Sequence, residues 1–302
     1  MTVRARASLG VPLGLLFIAV VGVIDWLLLS IVLTHQLPNE QINSLSFLCG
    51  LLVLSSLPVL AILAYQTISC ASLRYRLDRN GIVIWRGGRR WTLPIGDIQE
   101  ILPGSEVEGD IVKRQGLRWP GHERGEGQLP GRGQIRFLAT RPLPEQLLIM
   151  TPAQVFAISP RQPEQFLTAF EERRLLGPNR LLESEVQHAA WLTWPFWTDH
   201  VAWVLLGSAL VINLLLFGFL SVRFPGLDLQ LPLHFNSLGE VDRIGGRMEL
   251  FALPIIGLII LGTNLILGLA LYRWERAGAY LLWGAASAAQ ILFWLATFSL
   301  LT

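Results

Sequence analysis

Five stretches of the chain are apolar along their whole length: residues 12–33, 46–67, 201–222, 250–272 and 278–301. Each has the roughly 20 residues that a helix needs to cross a bilayer. Asp25 is the one charged residue inside any of them. Between the second and third stretches the pattern changes. Leu73, Tyr75 and Leu77 alternate with Arg74, Arg76 and Asp78, the two-residue period of a half-buried strand. Asn80-Gly81 predicts a hairpin turn into a return strand at 82–85, and Gly87-Gly88 a second turn into a strand at 91–93. Residues 98–102, 135–140, 147–150 and 155–158 predict four more strands. A long Gly-rich stretch from 103 to 133 separates the first of these from the rest, with a short strand near Ile111. A helix closes the segment. Ser159 is its expected N-cap, with Gln162 three residues on. Phe166, Leu167 and Phe170 form its apolar stripe, Arg173 and Arg174 suit its C-terminal dipole, and Gly177-Pro178 stops it.

Composition supports the membrane reading. The 302 residues are 52% apolar and 15% charged, against roughly 25% charged in soluble domains. The net charge of +2 argues against a nucleic-acid partner. Cys49 and Cys70 lie in or beside an apolar stretch, with no CxxC partner, and read as packing residues. Arg4 and Arg6 precede the first apolar run, which is too long for a signal peptide and has no small-x-small cleavage site, so it is read as a signal anchor. Arginine sets the orientation. Arg4, Arg6, the set Arg74, Arg76, Arg79, Arg86, Arg89 and Arg90, and the tight turn Arg273-Trp274-Glu275-Arg276 fall on one side. The 34–45 loop has no Lys or Arg. The N-terminus and the soluble domain are therefore expected in the cytoplasm and the C-terminus outside. Arg223, Arg243 and Arg247 run against this, although Asp228, Glu240, Asp242 and Glu249 lie among them.

The expected fold is about five transmembrane helices plus an α+β barrel of about seven strands with a C-terminal helix. Residues 1–71 hold two transmembrane helices and 72–180 the cytoplasmic domain. Residues 181–302 hold a Trp-rich interfacial segment, three transmembrane helices and an outer loop. Seven strands and one helix is the order of a pleckstrin-homology-like (PH-like) barrel. Tyr75-Arg-Leu77-Asp78, Asn80-Gly81-Ile82-Val83-Ile84, Leu93-Pro94-Ile95 and Asp97-Ile98 resemble the opening hairpins of bacterial PH-like domains. Gly116-Leu-Arg-Trp119-Pro120-Gly121, Phe137-Leu-Ala-Thr140, Leu147-Leu-Ile-Met-Thr151 and Ile158-Ser159-Pro160 resemble the remainder. The resemblance implies the barrel and its helix, and no ligand. The loop Leu231-Pro232-Leu233-His234-Phe235-Asn236, continuing to Gly239-Glu240-Val-Asp242-Arg243, resembles a motif in bacterial membrane proteins of unknown function. That motif also occurs in immunity proteins against the sporulation-delaying toxin. Together these resemblances imply the bacterial plasma membrane as location.

Several residues are candidates for chemistry. A carboxylate within a spanning helix is costly and functional by default. Asp25 lies roughly 20 Å along its helix from the cytoplasmic end, and Asn213 and Gln290 about 18 Å from the same side. The three form a candidate intramembrane polar cluster. The alternative is plain interhelical hydrogen bonding. Asn264 lies nearer the cytoplasm. Arg86, Arg89 and Arg90 crowd one hairpin and are candidates for lipid or partner contact, against ordinary positive-inside charge. The outer-loop motif offers His234, Asn236, Gly239, Glu240 and Asp242. His234, Glu240 and Asp242 are residue types that bind metals, but their spacing is no metal motif, and no metal or cofactor is expected. Trp191, Trp194, Trp197 and Trp203 suit an aromatic belt. Gly284 with Ala288 and Ala285 with Ala289 predict close helix packing, within the chain or in a homo-oligomer. No nucleophile stands at a working distance in sequence from a base, and no nucleotide or hydrolase motif is present.

The leading expectation is a non-enzymatic module in which the cytoplasmic domain binds a protein partner or the inner leaflet, in a regulatory or scaffold role. One alternative is an envelope-stress sensor or peptide-immunity protein acting through the outer loop. Another is a small ion- or proton-coupled transporter using Asp25.

Overall fold

The structure is a computed structural model and describes residues 1–36, 44–107, 112–115, 119–121, 123–129, 131–235 and 240–301. Ile111, Asn236 and Gly239 lie outside the described residues. Six helices occur in it: α1 (Gly10–Gln36), α2 (Ser44–Ala71), α3 (Pro163–Leu176), α4 (His200–Arg223), α5 (Ala252–Leu271) and α6 (Arg276–Leu301). All but α3 are long and apolar enough to cross a membrane. In hydrocarbon every backbone N–H and C=O needs an internal partner, and an unbroken helix supplies it. The chain forms two compact units, Met1–Val23 with Ser56–Thr193 and Ile24–Ser55 with Trp194–Thr302.

The first unit carries β1 (Thr2–Arg4), β2 (Arg74–Leu77), β3 (Gly81–Arg86), β4 (Arg89–Pro94), β5 (Glu100–Pro103) and β6 (Val112–Gln115). It continues with β7 (Glu123–Leu129), β8 (Gly133–Ala139), β9 (Leu147–Met150), β10 (Val155–Ile158) and β11 (Glu185–His188). One sheet has the order β1-β2-β3-β4-β11 and the other β5-β9-β10-β8-β7-β6. All pairs are antiparallel except β10 with β8. The seven expected strands are present. β6 stands at the short strand expected near Ile111, β7 adds one more from the Gly-rich stretch, and β1 and β11 join from outside it. Among the described residues the strands form two open sheets rather than a closed barrel.

Two turns show why the hairpins form where they do. Gly87 and Gly88 both have positive φ, +53° and +83°, as a two-residue type I′ connection requires. The Asn80-Gly81 hairpin turns differently from expectation. Asp78 Oδ1 accepts from the amides of Asn80 and Gly81 at 2.9 and 3.1 Å, an Asx-type turn.

Leu77, Ile82, Ile84, Leu93, Leu138, Ile149 and Ile158 fill the core together with Phe166 and Phe170 of α3. Helix α3 stops at Gly177, φ +67°, as expected. Its start differs: Gln162 is the N-cap, with no side-chain capping bond. Ser159 is fully buried instead. Its hydroxyl accepts from the Thr140 amide at 2.8 Å, and Thr140 Oγ1 donates to the Arg6 carbonyl at 2.8 Å. Beside it, the Tyr75 hydroxyl donates to the Leu138 carbonyl at 2.7 Å and accepts from the Ser159 amide at 3.1 Å. Burial pushes the Tyr75 phenol up, so it remains the protonated donor.

The N-terminus belongs to this domain. Met1 donates its amine to the Leu77 carbonyl at 2.8 Å, β1 pairs along β2, and the Arg6 amide donates to the Ser159 carbonyl at 3.0 Å. The entry of α1 is then held. Buried Trp119 donates Nε1–H to the Gly10 carbonyl at 3.1 Å, and the Ser8 hydroxyl donates to the Gly121 carbonyl. A Cβ at Gly14 would strike the Thr67 hydroxyl of α2, so the two helices approach closely there.

In the second unit α4, α5 and α6 pack through stripes of small and buried residues. Gly257 of α5 meets Gln290 of α6 and Gly268 meets Trp283, and Ala279 and Ala286 are also buried on α6. A Cβ at Gly268 would strike the Trp283 ring. The expected small pairs of α6 are not on this stripe: Ala285 and Ala288 are exposed, and a Cβ at Gly284 would meet no atom of the described residues within 4 Å. A hairpin, β12 (Gln230–Phe235) with β13 (Val241–Gly246), occupies what reads in sequence as a loop.

Tyr75→Phe tests the bridge across the core. It strands a buried amide and a buried carbonyl, so thermal unfolding should report a loss of about 1–3 kcal/mol. An unchanged melting temperature would mean the hydroxyl does not join the sheets.

Candidate functional site

Strand alternation divides the arginine hairpin into two sites. Residues paired across a sheet share a face. Arg74 pairs with Trp85, and Trp85 with Arg90. These three stand on the outer face, with the Arg74 and Arg90 guanidiniums 5.3 and 5.6 Å from the Trp85 ring centroid, within cation–π range. Arg86 and Arg89 pair with each other on the inner face, followed by the Ile84–Trp91 pair. Arg86 is buried and donates to the Phe137 carbonyl at 3.3 Å. Arg86, Arg89 and Trp91 line a slot of about 80 Å³ against Glu126 of β7 and Arg136 of β8. Arg136 and Glu126 pair at 2.5 Å. The indole N–H of Trp91 and the Nε–H of Arg136 are buried with no acceptor among the described residues.

Of the intramembrane candidates, Asn213 and Gln290 meet. Asn213 Nδ2 donates to Gln290 Oε1 at 2.8 Å and to the Pro254 carbonyl at 3.0 Å, while Gln290 Nε2 donates to the Gly257 carbonyl at 2.9 Å. Both side chains are fully buried. A Cβ at Gly257 would overlap both amides, so only glycine allows α5 this close. Asp25 of α1 is half-buried and is not among the partners of this pair. Asn264 donates to Ile260 in its own helix at 3.0 Å.

Asp199 carries a cluster that sequence reasoning missed. Its Oδ1 caps α4, accepting from the amides of Val201 and Ala202 at 3.0 and 3.1 Å. Its Oδ2 accepts from the Tyr272 hydroxyl at 2.6 Å and from the Tyr280 hydroxyl. One carboxylate thus ties the start of α4 to the α5–α6 turn. Partial desolvation raises its pKa, but the bonds from the two tyrosines and two amides outweigh that and bring it to about 2. Phe196, Tyr272 and Trp283 are buried beside it. Of the expected belt, Trp191, Trp197 and Trp203 are exposed and Trp194 turns inward onto Phe196.

In the hairpin after α4, His234 Nδ1 lies 2.6 Å from Asp242 Oδ1, and Arg243 pairs with Glu249 at 2.8 Å. Glu240 is exposed. Among the described residues no three His, Cys, Asp or Glu side chains converge as metal ligands.

Two measurements test these clusters. A double-mutant cycle on Asn213→Leu and Gln290→Leu should give a coupling of about 1 kcal/mol in detergent, and purely additive losses would show the two amides act independently. Asp199→Ala should lose the cap, about 1 kcal/mol at neutral pH. The Asp199 pKa is lowered from 3.8 to about 2, so the charge contributes fully above about pH 4 and is lost as pH falls through 2. The melting-temperature gap between parent and variant should therefore close over that range; a constant gap would contradict the assignment.

Residues 73–174 match the family model described as Bacterial PH domain, and residues 211–258 match the model described as Domain of unknown function (DUF1648). Neither is an enzymatic family. No curated protein and no solved structure matches the chain. The first match covers β2 through most of α3, with the arginine hairpin and the slot. The second runs from within α4, across the hairpin, into α5. The chain is a multi-pass membrane protein that joins a bacterial PH-like domain to a DUF1648 region.

Proposed function

We propose that this protein is a non-enzymatic, membrane-anchored regulatory or scaffold module whose PH-like domain faces the cytoplasm and rests on the anionic inner leaflet. The observation carrying this reading is the outer-face ladder Arg74–Trp85–Arg90. It begins three residues after α2 ends at Ala71, so its chain has little room to leave the headgroup region. Basic residues near an anionic surface contribute about 1 kcal/mol each, and tryptophan favours the interface. The arginine asymmetry of the flanks supports the cytoplasmic side. Seated this way, the domain leaves α3 and the second sheet for a protein partner.

A second reading is supported by the ordered hairpin within the DUF1648 match, with its His234–Asp242 and Arg243–Glu249 pairs. It is an immunity or envelope-sensing role at the outer face. A deletion strain should then become sensitive to a membrane-active peptide, and unchanged sensitivity would argue against it.

The leaflet seat is testable on the full chain in nanodiscs. Gln187 pairs with Arg90 and is exposed. A spin label at Gln187→Cys, with Cys49 and Cys70 replaced, should move toward the lipid surface in anionic discs relative to zwitterionic ones. Salt should weaken the shift, and Arg74→Gln with Arg90→Gln should abolish it. Identical label environments in both lipids would overturn the proposal.

A further inference from the structure

The inner-face slot differs in kind from the outer ladder. Buried polar groups nearly always have partners, and those that lack one need an explanation. Here Trp91 and Arg136 line the same cavity, and each has a buried N–H, Trp91 Nε1 and Arg136 Nε, without an acceptor among the described residues. Trp91 is only 3% exposed, so bulk water does not serve its indole. Three arginines, Arg86, Arg89 and Arg136, line the slot together with Glu126. Glu126 already engages Arg136 from one side. A phosphate group carries about −1.5 to −2 at neutral pH and presents three acceptor oxygens, which suits a guanidinium-lined slot with unmet donors. Guanidiniums are the side chains best suited to such oxyanions, because their N–H groups fork onto two oxygens at once. The cavity of about 80 Å³ has room for one such group.

We propose that this slot is a phosphate-binding site, formed by Arg86, Arg89, Arg136 and the Trp91 indole N–H. The bound group joins the hairpin of the first sheet to strands β7 and β8 of the second, so occupancy stiffens the contact between the two sheets. The site does not depend on the leaflet seat, because Arg74, Trp85 and Arg90 lie on the opposite face of the sheet.

The full-length protein in detergent is titrated with inorganic phosphate against chloride at matched ionic strength, reading thermal stabilisation and calorimetric affinity. A parallel arm uses zwitterionic nanodiscs with and without phosphatidic acid, whose headgroup is a phosphate monoester. Saturable stabilisation by phosphate is expected. Exposed Arg89 is the safest position to change: Arg89→Gln should weaken binding about tenfold. Trp91→Phe, which removes the N–H and keeps an aromatic ring, should weaken it about fivefold. Arg90→Gln should leave the affinity for inorganic phosphate in detergent unchanged, which separates this site from the ladder. A response to inorganic phosphate supports a soluble ligand. A response to phosphatidic acid alone, lost in Arg89→Gln, supports the same site with a lipid as the source. No response in either arm, or one that Arg89→Gln retains in full, overturns the proposal.

Discussion

Val3 pairs with Tyr75 across an antiparallel ladder, and the Tyr75 hydroxyl then crosses the core to the Leu138 carbonyl and the Ser159 amide. The rest of the first unit depends on this junction. Chain from before α1 becomes the edge strand of the domain that follows α2, so both helix ends are tied to one body. Buried polar atoms make the junction specific, because slipping the register would leave the phenol, the carbonyl and the amide without partners. Trp119 adds a second tie by closing on the Gly10 carbonyl where α1 begins.

The second unit obeys the same rule in a different solvent. Apolar side chains gain little by leaving lipid for one another, so close packing and hydrogen bonds decide which helices meet. Glycine at 257 lets α5 approach, and the Asn213 and Gln290 amides then satisfy each other and two α5 carbonyls. At the end of the bundle, Asp199 serves two roles with one carboxylate. It caps α4, and it takes the hydroxyls of two tyrosines flanking the α5–α6 turn.

Much of this was legible in sequence, for reasons that differ by element. The five apolar runs and strands such as Leu73-Tyr75-Leu77 could be read because burial writes itself into hydrophobic period. β1 is too short to show a period. β7 reads Glu-Arg-Gly-Glu-Gly-Gln-Leu and owes its place to backbone pairing with β8. β11 is exposed at every position and simply extends an edge. Ser159 matched the capping pattern but is drawn into the core by Thr140. Asn213 and Gln290 were visible as polar residues in apolar helices, whereas the carbonyls they use were not. The hairpin arginines were visible as a group. Their division into an outer ladder and an inner slot needs the Arg86–Arg89 and Trp85–Arg90 pairings, and the slot needs Arg136 and Trp91 from separate strands.

The N-terminal strand pairs with the opening strand of the PH-like domain, and the proposed orientation puts both on the cytoplasmic side. Thr2 and Arg76 face each other in the ladder. The flanking Met1–Leu77 bonds make theirs a non-hydrogen-bonded pair, in which Cα atoms approach to about 4.5 Å, well suited to a disulfide. A Thr2→Cys, Arg76→Cys protein lacking Cys49 and Cys70 should cross-link within the chain on mild oxidation in native membranes. Before oxidation, both cysteines should react with impermeant reagent only from the cytoplasmic face. Failure to cross-link, or labelling of the two cysteines from opposite faces, would contradict the account.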